Sequence, residues 1–454
     1  MSMADYHSMN IALTGDSIIA RKISVHKDLA TRQLYDLIKK ADVSFTNLEV
    51  LPNDFQGYPA ARSDGAHFAA HSNVLDDLQK IGFNLFSCAN NHSLDYGIEG
   101  LLATMEQLEK RDISYAGIGK NLTEARMPVY YETSGGTVAM LAATSTFFIE
   151  DQAGEARPEM RGRPGSNPLA FDVEYQLTAE QIENLREIDR ALGFAKHRQE
   201  FIHLGFRTAV EDETIFPFED TNLRVANTLA ANFHLADEAK VHTKPNERDL
   251  QEIIKWIKEA RSRSDVVMMS LHAHEQSISR EHPAEYIETF ARAVIDAGAD
   301  IVVIHGPHLL RGMEIYEGKL IFYSLGNFIG HNELVYKLPE DSYKRFGVAS
   351  SETPGVIFDK RSDGGKKGFP SNHLYWQSVV PVCQFDAGQL QSVKLYPIVL
   401  TNGKQPHHRG RPFLASGETG RKIMDKFSEL SREYGTKITC NNDGVAVVKG
   451  FPNN

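Results

Sequence analysis

A short apolar run that ends in metal-ligating side chains is the most informative local pattern in this sequence. Residues 83–89 fit a buried strand, Asn90, Asn91 and His92 follow directly, and Asp95 stands three residues further on. Side chains that follow such a strand lie at the rim of a sheet, where open α/β sheets bind their ligands. The segment therefore predicts a binding or catalytic site at that rim.

Four more apolar runs end in residues of the same kind. The polar residues at these ends are Asp16, Asn47 with Glu49, His272 with His274, and His305 with His308. Carboxylate, amide and imidazole groups suit Mn²⁺, Mg²⁺, Zn²⁺, iron or Ca²⁺, and no cysteine stands among these residues. A single strand that ends in such a residue could also be explained by a turn or by a hydrogen-bonded core histidine. Five strand ends of this kind together favour a site for one or two divalent ions.

The elements that must position these residues alternate between strand and helix, which predicts an α/β fold with mixed sheets. The alternation holds over residues 1–149 and returns in residues 248–454, where residues 341–370 have the composition of a mobile loop or lid. Residues 150–247 lack it and contain charged, amphipathic helical stretches. We interpret this middle segment as an inserted cap region.

The composition narrows the class of protein. The chain has 454 residues, 41% of them apolar and 24% charged, and a net charge of −11, which argues against nucleic acid or an anionic membrane as the main partner. Its three scattered cysteines form no disulfide framework. No signal peptide and no run long enough to span a membrane is visible, so the sequence predicts a soluble cytoplasmic protein.

In this order the motifs resemble those of the bacterial CapA-type family of capsule and poly-γ-glutamate synthesis, a branch of the calcineurin-like metallophosphoesterase superfamily. The matching segments are residues 13–16 (LTGD), 46–49 (TNLE), 89–97 (ANNHSLDYG), 270–272 (SLH), 304–308 (IHGPH) and 324–328 (SLGNF). The resemblance extends from residue 11 to about residue 400. It implies a four-layer α/β/β/α sandwich with a metal site at the carboxyl ends of its strands.

The resemblance also implies a role for each motif residue. The metal ligands would be Asp16, Glu49 as a carboxylate that can bridge two ions, Asn91, His272, His305 and His308. His92 would be the general acid or base beside the metal, and Asp95 would orient its ring. Asn327 of the last motif is a candidate substrate-binding residue.

Two positions depart from the family pattern. Many metallophosphoesterases have Asp-x-His in the first motif, but Ile18 stands two residues after Asp16, so one ion would lack a ligand. Ala273 and His274 replace the usual Trp-Gly after the fourth-motif histidine. Alternation along a strand places His274 on the same face as His272, which makes it an added ligand or proton carrier.

The substrate is expected to be a small molecule or peptide that carries negative charge. Arg21 lies just beyond Asp16, and Arg161 and Arg163 belong to an arginine cluster in the inserted segment. The arginine fork recognises carboxylate and phosphate well. We therefore take these three arginines as candidate substrate-binding residues.

Three functions fit these residues. The first is metal-dependent hydrolysis of a phosphoester or of an acidic or peptide amide, and it is the broadest class. The second is peptide epimerisation of the kind carried out by lasso-peptide epimerases, with Asp16 or His92 and a motif histidine moving the α-proton. The third is a non-catalytic role in polyglutamate or capsule synthesis, which the intact ligand set and the absence of an N-terminal membrane helix make the least favoured.

Overall fold

The computed structural model describes residues 8–220, 230–441 and 444–451. Its strands are β1 (Met9–Ile18), β2 (Val43–Leu48), β3 (Leu85–Ser87), β4 (Ser114–Ala116), β5 (Ile118–Gly119), β6 (Val129–Thr133), β7 (Gly136–Thr144), β8 (Gly165–Ser166), β9 (Phe171–Leu177), β10 (Ile215–Glu219), β11 (Ala230–Leu235), β12 (Lys240–Pro245), β13 (Val266–His272), β14 (Ile301–His305), β15 (Leu310–Tyr316), β16 (Lys319–Leu325), β17 (Asn327–Gly330), β18 (Gln377–Asp386), β19 (Gln389–Asn402), β20 (Arg409–Leu414), β21 (Ile438–Cys440) and β22 (Ala446–Val448). Its α-helices are α1 (Leu29–Lys40), α2 (Asn73–Ile81), α3 (Gly97–Glu109), α4 (Leu122–Arg126), α5 (Ala179–Leu192), α6 (Phe194–His203), α7 (Glu247–Arg261), α8 (Glu285–Asp296), α9 (Glu340–Phe346), α10 (Pro354–Ser362) and α11 (Gly417–Arg432).

Two large mixed sheets carry the predicted motifs, which confirms the mixed α/β class. The first has the order β21-β22-β19-β18-β1-β2-β3-β4, with β17 beside β1 and β20 beside β19, and the second has the order β15-β16-β14-β13-β7-β6. Strands β1 to β4 run parallel, and so do β7, β13, β14 and β16. Each group of parallel strands therefore brings its carboxyl ends to one edge of its sheet.

The two sheets share a hydrophobic core. One buried cluster contains Leu13 and Phe45 of the first sheet together with Met140 and Met268 of the second. Alternate residues of a strand face opposite ways, and Ala12 accordingly belongs to a second cluster with side chains of α1, α2 and α3. On the second sheet, α7 and α8 contact β13 and β14.

A smaller unit spans Ala170–Asn246, and the rest of the described chain forms the larger one. The small unit has a sheet of order β10-β11-β9-β12 with α5 and α6, and its core contains Ile182, Phe216 and Phe218. Helices were predicted here, but the strands were not. That residues 150–247 form a cap stays a prediction.

The last third of the chain completes the first sheet and differs from the prediction at one segment. Strands β18 and β19 pair antiparallel. The segment predicted as a loop near residues 341–370 contains α9 and α10. Across the described residues, none of the helices combines the length and the apolar character that a membrane span requires.

Candidate metal centre

Asp16 lies near the end of β1, where the regular ladder is interrupted. In the pairing of β1 with β2, the register shifts between Leu13 and Asp16. In its pairing with β17, the register shifts between Asp16 and Ser17. Such bulges turn a side chain away from the regular alternation and are frequent next to active sites. The backbone is also tightly packed here, since a Cβ atom on Gly15 would lie 1.8 Å from the carbonyl oxygen of Gly326.

The histidines come from the adjoining ends of β13 and β14. His272 lies directly beside His305 in the parallel register, and their Nδ1 atoms are 2.9 Å apart. His274 brings its Nε2 atom within 3.0 Å of the Nε2 atom of His272. His308 has a left-handed backbone, with φ of 61°, and its Nδ1 atom lies 2.9 Å from Oδ1 of Asn327. Strained backbone of this kind clusters at functional sites.

Two buried carboxylates complete this cluster. Asp16 lies 3.4–3.9 Å from the Nδ1 atoms of His308, His305 and His272. Oε1 of Glu49 lies 3.7 Å from Nε2 of His308 and 4.0 Å from Nε2 of His272. Three groups of side chains therefore offer ligand atoms that lie within 4.8 Å of one another: Asp16, His272 and His305; Glu49, His272 and His274; and Asp16, Glu49 and His308. The shared members describe one continuous centre.

The unpaired oxygen atoms of this cluster fit a cation. Both carboxylate oxygens of Glu49 and Oδ1 of Asn91 are buried and have no hydrogen-bond partner within the described part of the chain. A buried polar atom without a partner is costly, and a buried carboxylate more so. A divalent ion held by these oxygens and the neighbouring imidazole nitrogens would satisfy them.

The protonation of the centre also suits metal binding. Burial lowers the pKa of His272 and of His274 well below the usual value, with other histidines as the next cause, and it lowers the pKa of His305 to about 4. Burial alone would raise the pKa of Asp16, but the hydrogen bond and positive charge of His308 lower it to about 2. Neutral imidazoles and an ionised carboxylate are the forms that bind metal.

His92 and Asp95 form a second pair beside the centre. Nδ1 of His92 lies 2.7 Å from Oδ2 of Asp95, which also accepts a hydrogen bond from the backbone N–H of Phe68 at 2.6 Å. The imidazole packs on the Phe68 ring, with 4.3 Å between ring centroids. Nε2 of His92 is left facing Glu49, 3.9 Å from Oε1. The carboxylate thus fixes one ring nitrogen and leaves the other directed towards the centre.

A cavity of about 280 Å³ opens beside these residues. Asn91, His92, His274 and His308 form one part of its wall, and Arg280, Arg361 and Lys367 supply its basic side chains. The three arginines expected to bind substrate lie elsewhere: Arg21 lines a neighbouring cavity, Arg161 is exposed, and Arg163 donates to the carbonyl oxygen of Gln152. Asn327 contacts His308, so the structure places it behind a candidate ligand.

Sequence reasoning missed several residues that hold the centre in place. Asp64 accepts a hydrogen bond from Nδ2 of Asn91 at 3.3 Å, and Ser270 lies 2.7 Å from Nε2 of His305. Ser270 precedes His272 by two residues, and strand alternation alone could have identified it. Asp64 follows no strand, and the sequence around it carries no comparable signal.

The position of the absent first-motif histidine lies in the hydrophobic core. Ile18 is buried in the cluster that contains Ala12 and Leu34, and its backbone pairs with Gly330. No ligand atom can come from this position. The histidines of β13, β14 and the loops after them therefore supply the imidazole nitrogens around Asp16.

Comparison with known proteins gives consistent matches along the chain. The family model described as "Bacterial capsule synthesis protein PGA_cap" matches residues 10–332, a range that contains the centre from Asp16 to Asn327. The uncharacterized protein y4sH of Sinorhizobium fredii is 32% identical over 449 residues, which cover 96% of this chain and 92% of that protein. The capsule biosynthesis protein CapA of Bacillus anthracis is 25% identical over 71% of this chain and 59% of its own length. The PGA biosynthesis protein CapA of Bacillus subtilis is 23% identical over 71% of this chain and 63% of its own length.

Proposed function

The chain belongs to the bacterial capsule synthesis protein family, and from that premise we propose that it is a metal-dependent hydrolase. The observation that carries the proposal is Glu49, a fully buried carboxylate whose two oxygens lack hydrogen-bond partners among the described residues while imidazole nitrogens surround it. The substrate classes are a phosphoester and an acidic or peptide amide. The second class is supported by the names of the two Bacillus relatives, which refer to capsule and PGA biosynthesis.

The proposed ligands of one or two divalent ions are Asp16, Glu49, Asn91, His272, His274, His305 and His308. When bound, such an ion supplies Lewis acidity, which lowers the pKa of water and polarises an oxygen of the substrate. The chain's own contribution is to hold the ligand atoms in a buried, preorganised cluster. We propose in addition that the two sheets and their helices form the four-layer α/β/β/α arrangement, which the shared core supports.

His92 is the proposed general acid. In the doubly protonated ring Nδ1–H donates to Asp95, and the proton on Nε2 is the one that can be transferred at the edge of the cavity. As the oxygen of water forms a bond to the phosphorus or the carbonyl carbon and releases one proton to the solvent, the bond to the leaving oxygen or nitrogen breaks, and that atom receives the proton from Nε2. Nε2 then regains a proton from the solvent. Asp95 stabilises the cationic ring before the transfer and keeps it oriented.

A substrate screen tests this function. The purified protein, supplied with Mn²⁺, is incubated with phosphodiesters, γ-glutamyl peptides and L-peptides in deuterated water, and both cleavage and deuterium exchange at Cα are scored. We expect metal-dependent cleavage that chelation abolishes. Exchange at Cα without cleavage would contradict hydrolysis and support peptide epimerisation instead.

Metal affinity is expected to rise with pH. Burial and the negative charge of Asp16 raise the pKa of Glu49 well above its usual value, so Glu49 retains its proton in the metal-free protein at pH values where an exposed carboxyl has lost it. A cation must displace that proton, whereas the lowered pKa values of His272, His274 and His305 leave these three imidazoles without a proton to displace. Calorimetry with Mn²⁺ in buffers of different ionisation enthalpy should detect the released proton. An affinity that does not change between pH 5.5 and 7.5, the range chosen for the test, would contradict this.

A further inference from the structure

The basic side chains of the cavity beside the centre are incompletely neutralised. Its wall contains Arg280, Arg361 and Lys367 against two carboxylates, Asp64 and Glu333. Glu333 forms a salt bridge with Arg409 at 2.5 Å. Lys367 forms one with Asp363 at 3.5 Å. Asp64 accepts a hydrogen bond from Asn91. The Asn91 amide is neutral, so the charge of Asp64 still acts on Arg361, and of the two arginine charges one is left for a ligand.

Within the described part of the chain, the guanidinium of Arg280 is held by neutral groups. Its guanidinium donates to the hydroxyl of Tyr375 and to the carbonyl oxygen of Pro307 at 3.3 Å. The guanidinium carbon lies 5.2 Å from the centre of the Tyr375 ring. Because Pro307 directly precedes the candidate ligand His308, Arg280 is fixed on the His308 side of the centre. A guanidinium has five N–H groups, so several remain available.

Arg361 lines the same cavity and lies beside Gly65. Its Nη2 atom would lie 3.4 Å from a Cβ atom on Gly65, and Gly65 follows Asp64, the partner of Asn91. No salt bridge or hydrogen bond of its side chain occurs within residues 8–220, 230–441 and 444–451. The guanidinium therefore lies at van der Waals distance from this edge of the cavity.

We propose that Arg361 and Arg280 bind a second anionic group of the substrate, a carboxylate or a phosphate that is separate from the bond that reacts. The inference rests on the proposed function, because it assumes that the substrate reacts at the neighbouring centre. A planar guanidinium recognises either anion through paired hydrogen bonds. The pair thereby restricts the substrate to compounds with a negative group near the reacting ester or amide, and a neutral ester or amide would lack this contact.

Anion binding to the metal-free protein tests the inference. Inorganic phosphate and glutarate are titrated separately by calorimetry, which distinguishes phosphate from carboxylate recognition. We expect at least one of them to bind at one site, and Arg361→Ala and Arg280→Ala each to weaken that binding about tenfold or more. Arg421→Ala, which removes an exposed arginine of α11, should bind like the wild type.

The outcomes separate this inference from the proposed function. If neither anion binds, or if Arg361→Ala and Arg280→Ala bind as tightly as the wild type, the inference is wrong. Metal content is measured on the same variants, and we expect it to be unchanged. A wild-type protein that takes up no divalent ion but binds the anion through the two arginines would contradict the proposed function and leave the anion site standing.

Discussion

Glu49→Gln is expected to lower the affinity for Mn²⁺ by about 100-fold or more and, at the same time, to make the metal-free protein more stable. The substitution keeps the shape of the side chain but removes the charge that a cation would need. Both carboxylate oxygens are buried without a hydrogen-bond partner in the described structure. In the metal-free protein this carboxyl is therefore a source of instability, and a neutral amide removes part of its cost.

The gain in stability should depend on pH with a definite sign. The folded-state pKa of Glu49 is raised, first by burial and then by Asp16, so the folded protein binds more protons than the unfolded chain, and the contribution of this group to stability falls as pH rises. The advantage of Glu49→Gln should accordingly be larger at pH 8 than at pH 5. We expect it to reach about 1–3 kcal/mol, the typical penalty for a buried unsatisfied polar group. Urea unfolding of the metal-free proteins measures it.

A second buried carboxylate supplies the control. Asp300 is as inaccessible as Glu49, but it pairs with Arg261 at 2.6 Å and also with Lys319. Asp300→Asn should therefore lower the free energy of unfolding and leave the metal content intact. A Glu49→Gln protein that is less stable than the wild type and retains its full complement of metal would identify Glu49 as an ordinary structural residue.

Glu49 and Arg361 show which part of the candidate site could be predicted from the sequence and which part could not. Glu49, Asp16 and His272 each follow an apolar run, and the carboxyl ends of parallel strands converge, so a linear pattern predicts a spatial cluster. Arg361 lies on α10 and Arg280 in a loop. Their approach to the centre depends on how these segments fold back, which no periodicity encodes. Arg21 was chosen because it follows Asp16, and Arg161 and Arg163 because they belong to a cluster in the inserted segment; none of the three lines the cavity.

The same reasoning applies to the fold. Strands β13 and β14 are buried along their whole length and were predicted from continuous apolar runs. Strand β9 of the small unit has only partly buried and exposed residues, and charged side chains interrupt it. Its pairing with β11 and β12 rather than its composition makes it a strand. Tertiary pairing of this kind cannot be derived from local hydrophobicity.

His92→Asn is expected to reduce kcat by about 10²- to 10⁴-fold, the usual contribution of a general acid, with little change in KM or in metal content. The reason is the placement of Nε2, which faces the cavity while Nδ1 is bound to Asp95. Asparagine is polar but cannot transfer a proton at neutral pH. Steady-state kinetics on the substrate found by the screen, together with metal analysis, separate a defect in proton transfer from a loss of the ion.

Asp95→Asn should produce a different signature that a merely structural role would not give. The substitution preserves a hydrogen-bonding side chain beside the Phe68 N–H and the His92 ring, but it removes the negative charge that stabilises the cationic imidazole. If His92 is the acid and Asp95 acts through it, Asp95→Asn should lower kcat with little change in KM or metal content, and the double variant with His92→Asn should lose no more rate than His92→Asn alone. Asp189→Asn is the matched control, because Asp189 is also a buried aspartate, but it pairs with Arg198 at 2.6 Å within the small unit. A double variant that loses clearly more rate than His92→Asn would show that Asp95 does not act through His92, and a His92→Asn enzyme with undiminished kcat would assign the proton transfer to another group.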